Sequence, residues 1–475
     1  MRGASALPAV SGTFFTPAQE AEADRVIAGL PNFERIFPVA ETARRTKDLA
    51  AKHPGHVEVQ EIGRSRMGRA IESITVGDGP FTVLLLGFPH PDEGVGSLML
   101  DHLLEQAAAR PQLLKAFSAR LVAVKCWDTD GAKLNEGWFH AFEGLEHQAH
   151  NHFRPPPAMQ MEWTFPVTYK DHSWDALPPE TEAVRQLILR EKPAFMLGLH
   201  NAALNDPYFY LSEEAPEAYG ELARAVEIEG LSMSDRSPDV PFEVAMAPGI
   251  FKMYGLRDYY DYYEANEPYR LQQLRRGACS DEYLAQHVPG SFSFNAEVPR
   301  MLDDRVRDRS PAGVRLEAVV ERRKQENLAD FTWFARVMDP VLRAGPEPGS
   351  LLMDSVRLHI EEFRAREEWD STDAPPIGGP TSEVEATVAD RFENEVAGPW
   401  EDLLVLGEGW RAAGELAEFE VRGAREAQAT LQRRIGTLSR ELTDRSNFQP
   451  VPLRVAASIQ LRSLLLLMGW RRNGT

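Results

Sequence analysis

Val83-Leu-Leu-Leu-Gly-Phe-Pro-His90-Pro-Asp-Glu93-Gly-Val-Gly96 joins an apolar run to a loop that carries a histidine and a carboxylate three residues apart. A run of this length, bounded by glycine and proline, predicts a buried strand of an α/β sheet. Open α/β sheets build their sites just beyond the carboxyl ends of such strands. His90 and Glu93 can therefore turn inward together and offer one nitrogen and one oxygen to a metal ion. The spacing alone is common in this chain, for His102/Glu105, His140/Glu143 and His359/Glu362 repeat it. The first and last of these lie in helical stretches, where polar i, i+3 pairs form a solvated face. The strand–loop setting is what singles out His90 and Glu93.

A third ligand and a base stand downstream. Phe195-Met-Leu-Gly-Leu-His200-Asn201 is a second apolar run ending in a histidine. Ser291-Phe-Ser-Phe-Asn-Ala-Glu297-Val-Pro alternates polar and apolar residues like a strand and delivers Glu297 to its end. A hydrolytic zinc site takes such a set, two histidines and a glutamate, with water in the fourth position. Each residue alone has a plainer reading, a packed core histidine or an edge carboxylate. Four together, each at the end of a strand-like segment, are much harder to assign to packing.

The chain at this point resembles the zinc carboxypeptidases of the funnelin type, from roughly residue 17 to 305. Ile62-Gly-Arg-Ser-Arg-Met-Gly-Arg-Ala-Ile71 is similar to that family's N-terminal hairpin segment, and Phe88 to Glu93 to its first zinc motif. Trp127-Asp-Thr-Asp-Gly131 with Leu134 to Trp138 resembles its "NPDG" loop. Pro179-Glu-Thr-Glu-Ala-Val-Arg185, leading to Leu199-His200, resembles the helix before its second zinc histidine. Ser280-Asp281 and Glu297-Val-Pro299 are similar to its closing loop and catalytic segment. The resemblance implies an α/β fold, a mixed and mostly parallel twisted sheet sandwiched by helices. It also implies one zinc ion per chain on His90, Glu93 and His200. Glu297 would then be the base that activates zinc-bound water for hydrolysis of a peptide or amide bond. The expected partner is a peptide or small amide substrate.

Substrate recognition departs from the pattern. The family grips the substrate's terminal carboxylate with an Asn-Arg pair, whereas here His150-Asn151-His152-Phe153-Arg154 separates the two residues. Asn151 and Arg154 are the candidates for that clamp, because arginine binds carboxylates bidentately; both also read as plain loop polar groups. The family's tyrosine before the closing loop is missing as well, and Gln272, Gln273, Arg275 and Arg276 occupy that stretch. Asp281, if it faced the pocket, would favour a basic substrate group. A metallopeptidase is therefore one expectation. A deacylase acting on N-acyl or isopeptide amides is another, and a catalytically silent binding module of the same fold is a third.

The chain's 475 residues and 43% apolar content support a large core. A formal net charge of -20 argues against nucleic acid or an anionic membrane as main partner. Neither a secretory signal nor an 18-residue apolar run is visible, so no membrane span is expected. The two cysteines, Cys126 and Cys279, read as reduced thiols of a cytoplasmic protein.

Strand-like and helix-like runs alternate up to about residue 340, which predicts a catalytic domain over 1–344. The texture then changes after Ala344-Gly-Pro-Glu-Pro-Gly349 to a helical C-terminal extension over 345–475. A helix is expected over Ser350 to Glu368, a linker over Asp370 to Pro380, and an apolar stripe on Leu431, Ile435, Leu438 and Leu442. That stripe packs within the chain or, alternatively, serves self-association or a partner. The final segment, Arg445 to Thr475, has no acidic residue and five arginines, and docking onto the acidic body is expected of it. Tyr254 to Tyr263 could line a substrate funnel or pack as a loop.

Overall fold

A computed structural model describes residues 14–140, 142–234, 239–308, 310, 316–370 and 389–473. Nine strands build the central sheet: β1 (Val57–Arg64), β2 (Ala70–Val76), β3 (Phe81–Gly87), β4 (Ala119–Val124), β5 (Phe195–Leu199), β6 (Tyr208–Leu211), β7 (Ala245–Ala247), β8 (Ile250–Lys252) and β9 (Phe292–Glu297). Their order is β1-β2-β4-β3-β5-β9-β6-β8-β7. The four central strands β4, β3, β5 and β9 run parallel, and antiparallel partners flank them on both sides. This is the expected mixed α/β sheet. The apolar run Val83 to Gly87 lies in β3, inside the parallel block, with six of that strand's seven residues buried. Strands covered on both faces lose alternation and read as continuous apolar runs. Ile62 to Ile71 forms the β1–β2 antiparallel hairpin.

Helices cover both faces. Val95–Ala109 lies against β5, and Gly96 permits the approach: a Cβ there would stand 2.4 Å from that of Leu199. On the other face Pro179–Glu191 packs with Leu84, Leu86 and Met196 in a second cluster.

The expected boundary near residue 344 marks a change of texture, and packing crosses it in both directions. Leu316–Arg343 joins Leu351–Asp370, the π-helix Ala389–Ala397, Gly398–Glu418 and Ala424–Arg445 in one apolar cluster. That cluster also contains Leu145, Ala149, Phe153, Leu204 and Met301 from the sheet domain. The stripe Leu431, Ile435, Leu438 and Leu442 is buried in it, so it is occupied inside the chain and offers no face for self-association. The linker expected over Asp370 to Pro380 falls, past residue 370, outside the described residues.

The last helix, Leu453–Asn473, returns to the sheet and joins the cluster built on β3 and β5. By length and composition it could cross a membrane, but 83% of its apolar window is buried inside the protein, as in a core helix. Its arginines meet the acidic body as expected. Arg462 faces Glu229 at 3.4 Å, and Arg471 pairs with Glu213.

At Gly407 the extension touches the segment that leads to the site. A Cβ there would lie 1.9 Å from the Ala149 carbonyl oxygen, in the helix Leu145–Asn151. Gly407→Ala is expected to lower unfolding free energy by about 1–3 kcal/mol, the range for overpacking a closed interface. In the last helix, Leu464→Ala should cost about 2–5 kcal/mol. Both are read from denaturant midpoints, and Leu464→Ala should keep a single transition, since its side chain belongs to the sheet core.

Candidate metal centre

Three adjacent parallel strands aim their carboxyl ends at one place. His90 follows β3 by three residues, His200 follows β5 directly, and Glu297 is the last residue of β9. Phe88, buried and with φ of 51°, turns the chain out of β3 in the left-handed region. That conformation is uncommon for a residue with a Cβ and is maintained by surrounding packing. Asn201 ties the three ends together. Its carbonyl accepts from the Val95 N–H at 3.2 Å, and its amide donates to the Val298 carbonyl at 3.1 Å.

Ligand atoms of His90, Glu93 and His200 all lie within 4.8 Å of one another, and all three residues are buried. Glu93 Oε2 is 2.9 Å from His200 Nδ1, and Glu297 Oε1 is 3.8 Å from the same nitrogen. The imidazole centroids are 5.1 Å apart. The sequence-predicted ligands and base therefore converge.

Two observations fit a dication here. His90 Nδ1 is buried and finds no hydrogen-bond partner among the described residues. Glu93 and Glu297 also bring carboxyl oxygens to 2.9 and 3.8 Å from His200 Nδ1, and buried carboxylates of this kind are paired or coordinate metals.

The local fields are strong. Burial pushes the His90 imidazole down to about 3, with Arg154 acting in the same direction, so it is neutral and able to donate a lone pair. Burial also opposes charge on His200, yet the Glu297 and Glu93 carboxylates outweigh it and raise the imidazole to about 9. Burial lifts Glu297 to about 8, reinforced by Glu93 and Asp239 and opposed by His200. Burial presses the same way on Glu93, but His90, Arg154 and His200 hold it down at about 2.

The expected clamp is not assembled. Asn151 ends its own helix and donates to the His147 carbonyl at 2.9 Å, and it does not line the cavity at the site. Being the last residue of a helix, it satisfies one of that helix's terminal carbonyls instead of reaching inward. Arg154 does face the cavity, but its guanidinium is held by Asp92, at 3.0 Å, and by Glu93. It orients a ligand carboxylate. Asp92 also meets His152 Nε2 at 3.3 Å, and His152 stacks on Trp138.

Some residues of the site were not among the expected ligands, base and clamp. Glu162 accepts from both the N–H and the hydroxyl of Ser280, at 3.1 and 2.7 Å. Arg300, three residues past Glu297, lies 3.6 Å over the Trp138 ring, and burial lowers it to about 10. Glu408 comes from the extension, where it accepts the Arg154 N–H at 2.7 Å and the Ser355 hydroxyl at 2.8 Å. Phe392, Trp400, Glu401 and Leu404 of the same helices wall a cavity of about 540 Å³ that holds the cluster. Gln460 of the last helix donates to the His200 carbonyl at 2.9 Å.

No family model matches this chain and no curated protein does. Among solved structures, it is similar to a metallo-carboxypeptidase from Burkholderia cenocepacia, with 18% identity over 55% of this chain and a TM-score of 0.34. A carboxypeptidase A from Helicoverpa armigera matches at 15% identity over 59% of the chain and 71% of its own length, with a TM-score of 0.36. A metallo-carboxypeptidase from Pseudomonas aeruginosa matches at 17% identity over 55% of the chain and 59% of its own length, with a TM-score of 0.34. The chain spans 59% of the Burkholderia protein's length. At such scores the functional reading rests on the site's own geometry.

Arg154→Met frees Glu93 from its orienting cation. Zinc affinity should fall about 10–100-fold, as for other outer ligand contacts, in a competition titration with a chromophoric chelator. Glu408→Ala strands the Arg154 N–H and the Ser355 hydroxyl, and should cost about 1–3 kcal/mol of stability by chemical denaturation.

Proposed function

We propose that this protein is a zinc-dependent hydrolase of peptide or amide bonds. The observation that carries the proposal is the convergence of two imidazoles and a carboxylate within 4.8 Å, with Glu297 beside them, in a cavity walled on one side by the C-terminal helices. Two nitrogens and one oxygen are the donor set of hydrolytic zinc sites. His90, Glu93 and His200 would hold the ion, which would supply Lewis acidity and a water acidic near neutral pH.

This chain's own residues do the rest. Glu297, 3.8 Å from His200 at the edge of the ligand set, is placed to take a proton and return it to the departing amine. Arg154 holds Glu93 in its ligating position. Helices of the extension keep bulk water from one side of the reacting centre.

A second reading within this class, a deacylase of N-acyl or isopeptide amides, draws support from the position of Asn151. With that amide turned to its own helix, grip on a free C-terminus lacks the expected pair. Buried, unpaired Cys126 and Cys279 support a reducing, cytoplasmic setting. A silent binding module is the reading from outside enzymology.

Metal analysis separates the classes. Purified protein should hold about one zinc per chain, the stoichiometry of a three-ligand site with an open fourth position. His200→Ala should lose it. Glu297→Gln should retain it while turnover of an amide panel falls by about 10²–10⁴-fold. A full zinc load with undiminished turnover in Glu297→Gln would falsify the assigned base, and absence of zinc from the native protein would leave only the binding module.

A further inference from the structure

The cavity holds three arginines, and their surroundings differ. Arg154 is met by Asp92 and Glu93. Arg300 lies within the fields of the same two carboxylates. Arg276 has neither arrangement. Its guanidinium carbon stands 4.2 Å from the Tyr259 ring centroid and 4.8 Å from that of Trp163. These rings meet at 87° and form an aromatic corner around the cation. Tyr259 also takes a hydrogen bond from it, and the phenols Tyr259, Tyr263 and Tyr254 favour its charge against burial. Among the described residues no carboxylate forms an ion pair with it.

The corner is built into the backbone. The Gly277 N–H donates to the Trp163 carbonyl at 2.7 Å, and Ala278 and Phe165 exchange bonds at 2.9 and 3.1 Å. A Cβ on Gly277 would stand 2.1 Å from the Phe165 carbonyl oxygen, so only glycine fits there. The Arg276 carbonyl in turn accepts from His172 at 2.8 Å. Arg276 is thus fixed on a rigid strap, and aromatic faces favour its charge without saturating its five in-plane donors.

We propose that Arg276 is a specificity-determining residue that seats a carboxylate of the substrate in the same cavity as the metal cluster. This rests on the cavity being the amide site proposed above. A guanidinium fixed in advance by neutral partners gives up little on accepting an anion, whereas Arg154 would have to release one of its own carboxylates. Glu162 and Asp281 line the same cavity and would suit a cation instead. However, Glu162 is engaged by Ser280, and burial raises both acids, Asp281 to about 7, which weakens their negative charge.

Isothermal titration of the full chain, zinc-loaded and in a Glu297→Gln background, tests this with four probes. They are N-acetylleucine, the α-amide of N-acetylglutamate, N-acetylleucinamide and N-acetyllysinamide. The first two place the carboxylate at the chain end or on the side chain, so they identify which one Arg276 seats. At least one of them should bind about 10–100-fold tighter than N-acetylleucinamide, the range for a charge-assisted hydrogen bond. That ratio should collapse to within about threefold in Arg276→Gln and be partly kept in Arg276→Lys, which retains charge but not the fork. A purely structural Arg276 would shift all four probes together and leave the ratio in place. Preference for N-acetyllysinamide, a ratio that survives Arg276→Gln, or no binding of either carboxylate at about 10 mM overturns the assignment. If no amide is ever turned over, the hydrolase proposal falls while the binding ratio still judges Arg276.

Discussion

Arg154 is the joint on which the site depends. Its guanidinium binds Asp92 and Glu93 on the loop after β3, and its backbone N–H is taken by Glu408 of the extension. The metal loop, the segment after the helix Leu145–Asn151 and the C-terminal helices are therefore joined through one residue. Electrostatics explains why this position takes an arginine. Glu93 must stay ionised while buried beside Glu297 and within the field of Glu162, and a fixed cation lowers the cost of that arrangement. Arg154, already bonded to two acids, then acts as part of the cluster's scaffold and not as a free hand for substrate.

The C-terminal extension follows from the same constraint. A carboxylate cluster at the open end of a parallel sheet stands in water unless something covers it. Here Phe392, Trp400 and Leu404 provide apolar cover, Glu408 secures Arg154, and Gln460 secures the carbonyl of His200. The extension is thus structural for the site and at the same time shapes the space a substrate enters. Glu401 adds a carboxyl group in the cavity wall, pushed up to about 7 by burial.

How much of this was legible in the sequence depends on the kind of signal. The strands β3 and β5 were readable because sheets buried on both faces impose continuous apolarity. His90, His200 and Glu297 were readable because they close those runs, and a strand's end is where α/β sites form. Asn151 misled because composition around it suggested a loop, whereas it completes a helix turn and spends its amide on His147. Glu408 and Trp400 left no local trace. Glu408 meets Arg154, 254 residues away in sequence, and a glutamate in a helix reads as an exposed face until tertiary packing buries it. Arg276 stood in a stretch already marked as unusual, but its meaning lies in the Trp163–Tyr259 corner, which no spacing encodes.

The candidate metal cluster neutralises its own arginine, since Asp92 and Glu93 hold Arg154. At the aromatic corner no described carboxylate pairs with Arg276, and the strap carrying it is fixed by backbone bonds. Burial opposes the charge of Arg276, and its phenol neighbours outweigh that cost. The same arrangement is favourable once a carboxylate arrives, since the positive field is already in place and little has to reorganise. Two differently charged ends of one cavity, a carboxylate cluster suited to a dication and a lone guanidinium, therefore constrain a ligand by polarity as well as by length.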